Sequence, residues 1–382
     1  MVTRRIYCDY AASTPIAPDV SLAMRTFLES HGAGNASSLH YDGRALRERL
    51  DGARDQVAAL LGCDFKDVLF TSGGTESDNL AIIGAILSRR ETGRNGIVVG
   101  ASEHHAVVDA AHFAARFLGA DVRIAHVDEA ARVDVEHLKS LVDDRTAIVS
   151  IQHANNEIGS IQPVQDIAAV AHACGAWFHC DAVQTPITVP FTVADLDADL
   201  VTISSHKIYG PVGAGGLYSR VPIQPTQVGG TQERGLRAGS ENVLGAIGFG
   251  VAAGVEIARR SAGRIDIQAV AESVHDLRLR LMEFKGVTIN TPLEDAISTT
   301  MHISIAGCST EDILMLLDRK GISASGGSAC ASGAVEPSHV IKACGWSNER
   351  QNGALRLSFG IGTTADDIRY VADVIGLIAD KG

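Results

Sequence analysis

The sequence predicts an α/β protein: a large domain on a mostly parallel, seven-stranded-type sheet covered by helices, followed by a smaller α+β domain. Three observations carry this. First, from Val68 onward short apolar runs alternate with helical patterns. The runs are Val68-Leu69-Phe70, Ile97-Val98-Val99, Val122-Arg123-Ile124, Ala147 to Ile151, Trp177-Phe178-His179 and Leu200 to Ile203. Continuous apolar strands separated by helices, such as the one expected over 163–174, belong to parallel sheets buried on both faces. Second, the pattern changes after Gly254. A helix is expected over 267–284, a strand over 299–305, and a helix opening at Ser309 with Ile313, Leu314, Leu316 and Leu317 on one side. A strand at Leu355-Arg356-Leu357 then leads to a closing helix with Ile368, Val371, Ile375 and Ile378 at helical spacing. Third, 382 residues exceed a minimal domain, and 46% apolar residues suffice for a sizeable core. The expected division is 15–254 for the large domain, with 1–14 and 255–382 forming the small one.

Net charge and cysteine usage exclude several classes. A formal charge of -12 argues against direct nucleic-acid binding. No apolar run is long enough to span a bilayer, and the first residues lack the apolar stretch of a signal peptide, so a cytoplasmic protein is expected. The seven cysteines are irregularly spaced and contain no CxxC pair. That pattern suits neither a disulfide framework nor a structural zinc site, and no metal is expected. Most of these thiols read as small buried apolar groups.

In α/β sheets, ligands gather where strands end, so the strand ends deserve a residue-by-residue reading. Thr71-Ser72-Gly73-Gly74-Thr75-Glu76 follows a strand and precedes a helical run. Glycines there let backbone N–H groups approach an anion at the helix start; an ordinary capped helix would look the same. Lys207 follows the strand ending near Ile203, within Ser204-Ser205-His206-Lys207-Ile208-Tyr209-Gly210-Pro211. A lysine so placed can be desolvated into an amine nucleophile that forms a Schiff base, although most lysines are plain surface residues. Asp181 ends another apolar strand in Phe178-His179-Cys180-Asp181. A buried acid needs a cation, such as a protonated pyridine nitrogen, unless it serves only as a helix cap. The small residues at 323–333, which include Cys330, cannot build a packed core and read as a mobile loop.

With these motifs in place, the chain resembles the class I cysteine desulfurases of the NifS/IscS type, which are fold type I pyridoxal phosphate enzymes. The resemblance runs from Asp9-Tyr10-Ala11-Ala12-Ser13-Thr14-Pro15 to the last helix. It includes Gly34 to Ser38, Glu103-His104, Asn155-Asn156-Glu157-Ile158-Gly159, Asp181 to Gln184, Arg234 to Asn242, Ser328 to Glu336 and Leu355-Arg356. It implies a pyridoxal phosphate cofactor held covalently by Lys207, with His104 stacked on the ring and moving protons. Asp181 pairs with the pyridine nitrogen and Gln184 faces the ring oxygen. Gly74, Thr75, Ser204 and His206 hold the phosphate, joined by Ser240 from a second subunit, where the family commonly has threonine. Arg356 takes the carboxylate of L-cysteine, with Asn155 and Asn35 also on the substrate side. Cys330 is the nucleophile that accepts sulfur as a persulfide, leaving alanine. A homodimer with shared active sites and a sulfur-acceptor protein are implied as partners. Iron–sulfur cluster assembly, tRNA thiolation and DNA phosphorothioation are the pathways that draw on such enzymes. Ala36 stands where proline is common, and Cys8 and Cys180 where cysteine is not. We read Cys180 as core and His105 as structural.

Three other readings share parts of this pattern. A selenocysteine lyase or an aminotransferase would use the same cofactor without needing Cys330. A non-catalytic protein on this fold would show no cofactor absorbance. A nicotinamide-dependent dehydrogenase would need a GxGxxG turn in the right context, and none is found.

Overall fold

The computed structural model describes residues 5–30, 34–327 and 337–380. After a two-residue strand β1 (Ile6–Tyr7), the large sheet is made by β2 (Val68–Thr71), β3 (Gly96–Gly100), β4 (Asp121–Ala125), β5 (Thr146–Gln152), β6 (Trp177–Asp181), β7 (Leu200–Ser204) and β8 (Gly215–Ser219). Its order is β2-β8-β7-β6-β5-β3-β4. The pairs from β4 through β7 are parallel, and β8 runs antiparallel to both β2 and β7. Every residue of β2, β3, β5, β6 and β7 is buried apart from the half-buried Trp177, as expected for strands covered on both faces.

The strand β8 is an addition to the strands expected from the sequence. Two of its five residues are glycines, which disguise a strand in the sequence. Gly215 is required there: a Cβ on it would lie 2.6 Å from the Gly73 Cα, so the strand could not approach the glycine turn after β2.

The C-terminal part holds β9 (Val287–Ile289), β10 (Thr300–Ile305), β11 (Ile322–Ser323) and β12 (Ala354–Ser358). The strand β10 lies between β12 and β9, antiparallel to both. A separate apolar cluster lies against this sheet, combining Val274, Leu277, Ile303, Ile313, Leu357 and Ile375 among others. The N-terminus joins this part, because β1 pairs with β11 and Asp9 bridges to Ser358. One expectation is corrected here. Residues 323–333 do not form a loop throughout: Ser323 belongs to β11, and Ser325 and Arg356 exchange backbone hydrogen bonds of 3.2 and 2.7 Å. The pairing partners lie far away in the chain, so no local pattern announces them. The expected helix over 267–284 is observed as Ile265–Leu281.

No helix among the described residues is long and apolar enough to cross a membrane. The six described cysteines are free, with Cys8, Cys180 and Cys344 buried.

One buried ion pair fixes the edge of the large sheet nearest the glycine turn. Arg54, on the helix Tyr41–Leu61, donates to both Glu233 carboxylate oxygens at 2.6 and 2.8 Å. Glu233 also accepts the Phe70 N–H at 2.9 Å, and Arg54 donates to the Val68 carbonyl. Both side chains are almost fully buried. Removing one partner strands the other's charge, so Glu233→Ala should cost about 3–5 kcal/mol. The shift of the denaturant midpoint, at unchanged slope, measures it.

Candidate active site

A cavity of about 500 Å³ opens at the carboxyl ends of the parallel strands. The register explains its base. Gln152 at the end of β5 pairs with Asp181 at the end of β6, which pairs with Thr202 on β7. Asp181 therefore emerges from the middle of the sheet. Its Oδ1 accepts the Val183 N–H at 2.9 Å. Burial pushes its carboxyl up, while His104 and Lys207 pull it back toward ionisation. A cation against this carboxylate would complete that restoration.

Gly74 and Thr75 line the same cavity as the first residues of the helix Gly74–Arg89. Ser204 and His206 border it where β7 ends. The Ser204 hydroxyl is buried with no hydrogen-bond partner. Burial, with Lys207 adding to it, lowers His206 to about 4, so its imidazole is neutral near pH 7. Its Nδ1 lies 3.3 Å from the Ser13 hydroxyl. Helix-start N–H groups, a spare hydroxyl and a neutral imidazole form a cradle for an anion.

Lys207 sits in a short turn after β7, and its Nζ donates to the Ala11 carbonyl, which also accepts from Gln184 Nε2 at 3.0 Å. Burial, reinforced by Arg356, lowers its ammonium to about 8. His104 caps the helix His105–Leu118: its Nδ1 accepts the Ala106 N–H at 3.1 Å, which leaves the neutral ring's proton on Nε2. Burial moves this imidazole down, away from its charged form. Arg356, on β12, is 3% exposed. Its guanidinium donates to the Asn156 carbonyl and to Asp9 Oδ1, both at 2.7 Å, and its Nε has no hydrogen-bond partner.

Other expected residues fall elsewhere. The Asn155 amide is fully buried and committed to backbone, accepting from the N–H groups of Glu157 and Ile158 and donating to Ser102. Its neighbour Asn156 lines the cavity instead. Asn35 is exposed, with its carbonyl oxygen taken by the Ser37 N–H. Ser240 borders a separate cavity of about 190 Å³ with Ser72 and Arg237. Cys330 lies outside the described residues. Cavity-lining residues that the sequence did not single out include Asp78 and His339, and His105 reaches the lining as well. The His339 Nε2 lies 2.8 Å from the Glu103 carbonyl, and its ring centroid is 4.4 Å from that of His105.

The sequence profile of the family described as Aminotransferase class-V matches residues 6–371. The chain belongs to this family. It is 40% identical over 382 residues to the protein named "Cysteine desulfurase IscS" of Dictyoglomus turgidum, an alignment covering 99% of this chain and 95% of the relative. The structure titled "NIFS-LIKE PROTEIN" superposes with a TM-score of 0.90 at 32% identity, over 99% of this chain and 100% of that one. Another, titled "SspA in complex with cysteine", gives 0.80 at 29% identity, covering 93% and 99% respectively. The cofactor of such class-V enzymes is pyridoxal phosphate. The cavity fits it: a carboxylate in need of a cation, an amine of lowered pKa and an anion cradle with an orphaned Ser204 hydroxyl share one space.

Proposed function

We propose that the chain is a cysteine desulfurase, converting L-cysteine to L-alanine while Cys330 gains the sulfur as a persulfide. The observation that carries this reading is the convergence of Lys207, Asp181, His104 and Arg356 on one cavity. It is supported by relatives named as cysteine desulfurases over nearly their whole length. When bound, pyridoxal phosphate supplies an electron sink at the α-carbon of the amino acid. Asp181 would meet its ring nitrogen, Lys207 would carry it, and Gly74, Thr75, Ser204 and His206 would hold its phosphate. Gln184 faces the ring oxygen.

The residues of the chain do the rest. Arg356 grips the substrate carboxylate, with Asn155 assisting by shaping the turn that presents Asn156. Asn35 completes the substrate side. Lys207 Nζ, as a free amine, would take the α-proton, and His104 Nε2 would exchange protons with the bound substrate. The Cys330 thiolate attacks the substrate sulfur: the new S–S bond forms, the C–S bond breaks, and its electron pair stays on carbon, which takes up a proton. Cysteine plus thiol thus gives alanine plus persulfide, with no outside oxidant. Gly327, three positions before Cys330 in the sequence, lines the cavity.

We further place the domain division at 15–254 against 1–14 with 255–382, supported by an apolar cluster that joins Cys8 to residues from Val270 onward. We assign Ser240 to the phosphate of a second copy, in a homodimer with shared sites. A cytoplasmic location and transfer of the sulfur to an acceptor protein complete the reading. The pathway served is one of those that consume a protein persulfide.

Purified protein given L-cysteine and a thiol reductant should release alanine and sulfide in equal amounts. Pyruvate and ammonia in place of alanine would refute the reading. Arg356→Lys should raise KM for cysteine about ten- to a hundredfold, because a point ammonium loses the two-bond grip worth about 1.5–3 kcal/mol. The cofactor's visible spectrum should stay unchanged, and a normal KM would remove Arg356 from this role.

A further inference from the structure

We propose that Asp78 is a positioning residue of the cofactor site: it stands in the cavity wall as a neutral carboxylic acid, so that Asp181 alone presents negative charge to the cofactor. The proposal rests on the cofactor reading above and deepens it.

Asp78 lies in the helix whose first residues, Gly74 and Thr75, border the cavity. It lies four positions after Gly74, so one helical turn carries it inward on the same face. It is 1% exposed, it lines the cavity, and its Oδ1 has no hydrogen-bond partner. An ionised carboxylate with a bare buried oxygen is costly. The groups around it offer no compensating cation. From β6 it faces Asp181 and His179, whose Nε2 is 3.6 Å from Asp78 Oδ1. The His179 ring is already engaged on both sides, with Nδ1 at 2.8 Å from the Ser150 hydroxyl and Nε2 at 3.0 Å from the Thr202 hydroxyl. Burial lowers that imidazole to about 3, so it is neutral and forms no ion pair. From β7 only the Thr202 hydroxyl acts on Asp78. Glu103, in the turn before the helix His105–Leu118, is another buried carboxyl of the same group and feels both aspartates. Lys207 and His104 act on Asp181.

Two buried carboxyls this closely linked share a proton rather than ionise together. Asp181 has a cationic neighbour in Lys207 and a bonded backbone N–H; Asp78 has neither. The proton therefore stays on Asp78, where burial first and Asp181 second push the carboxyl well up. A second anion there would compete with Asp181 for the ring nitrogen and misplace its proton.

Infrared and visible spectra of wild-type holoprotein and Asp78→Asn test this. Wild type should show a carboxylic-acid C=O stretch above the amide band at neutral pH, shifted in heavy water, and Asp78→Asn should lose the component due to Asp78, leaving at most that of Glu103. Because the amide replaces a neutral acid, the variant should keep the neutral-pH visible spectrum and bind cofactor within about threefold of wild type. The alkaline limb of the wild-type visible titration should contain a step that the variant lacks. An unchanged acid band, or a variant whose neutral-pH spectrum shifts, overturns the proposal. Should the variant fail to fold, carboxyl-labelled aspartate in wild type decides: the acid band must move on labelling, and a fixed band overturns the assignment. A wild-type protein without a borohydride-trappable chromophore would instead refute the cofactor reading, and the infrared arm, which needs no cofactor, would still decide where the proton lies.

Discussion

Lys207→Ala abolishes the cofactor's covalent attachment and turnover together. No other lysine is among the described residues lining the cavity, and the Lys207 amine is lowered to about 8 because burial and the Arg356 charge disfavour its ammonium form. Loss of that amine removes both the carrier and the base for the α-proton, so alanine formation should fall roughly a thousandfold or more. The visible absorbance that borohydride reduction traps should vanish. The same pKa makes a pH prediction. Below about 8 the ammonium cannot attack a carbonyl, so capture of added pyridoxal phosphate by cofactor-free protein should quicken about tenfold per pH unit and level off above that point. An ordinary lysine would continue to gain up to about pH 10. Covalent cofactor in Lys207→Ala, or a capture rate still climbing steeply above pH 9, would overturn the assignment.

Cys330→Ser separates substrate binding from sulfur transfer. Neither Lys207 nor Arg356 is altered, so cofactor and L-cysteine should bind, and the visible spectrum should respond to cysteine as in wild type. Transfer should stop, because a serine hydroxyl stays protonated near neutral pH and is a poor nucleophile toward sulfur. Alanine formation should drop to background even with added dithiothreitol, a loss of about a thousandfold or more. The buried thiols among the described residues cannot stand in. Burial pushes Cys8 and Cys344 up to about 12, and raises Cys180 well above its usual value. Normal alanine production by Cys330→Ser would make the enzyme a lyase that needs no thiol, as a selenocysteine lyase would be.

What the sequence disclosed and what it hid follow one physical rule. Asp181 ends an apolar strand and Lys207 follows another by one short turn, and a polar group at the end of a buried strand stands out because burial is costly. Asp78 escaped notice because an acid in the first turns of a helix has an ordinary explanation in the helix dipole. Only the packing of that helix onto β6 and β7 shows that the side chain faces inward. The signal that could have found it was spacing: Gly74 and Asp78 are four residues apart and share a face. His339 is remote in sequence from Glu103 and His105, so only the fold brings them together. Asn155 and Asn156 are adjacent and chemically identical. The turn geometry alone decides that the first is spent on the backbone while the second reaches the cavity. The small strands β1 and β11 escape for the same reason, since two residues carry no period.

The central claim is that sulfur leaves free cysteine and resides on one particular thiol. A single turnover decides it: holoprotein is mixed with one equivalent of L-cysteine without reductant, alkylated, digested and examined by mass spectrometry. The peptide containing Cys330 should carry one additional sulfur atom, in an amount matching the alanine released. Alanine released with an unmodified Cys330 peptide, or an additional sulfur on Cys180, Cys308 or Cys344 instead, would contradict the account.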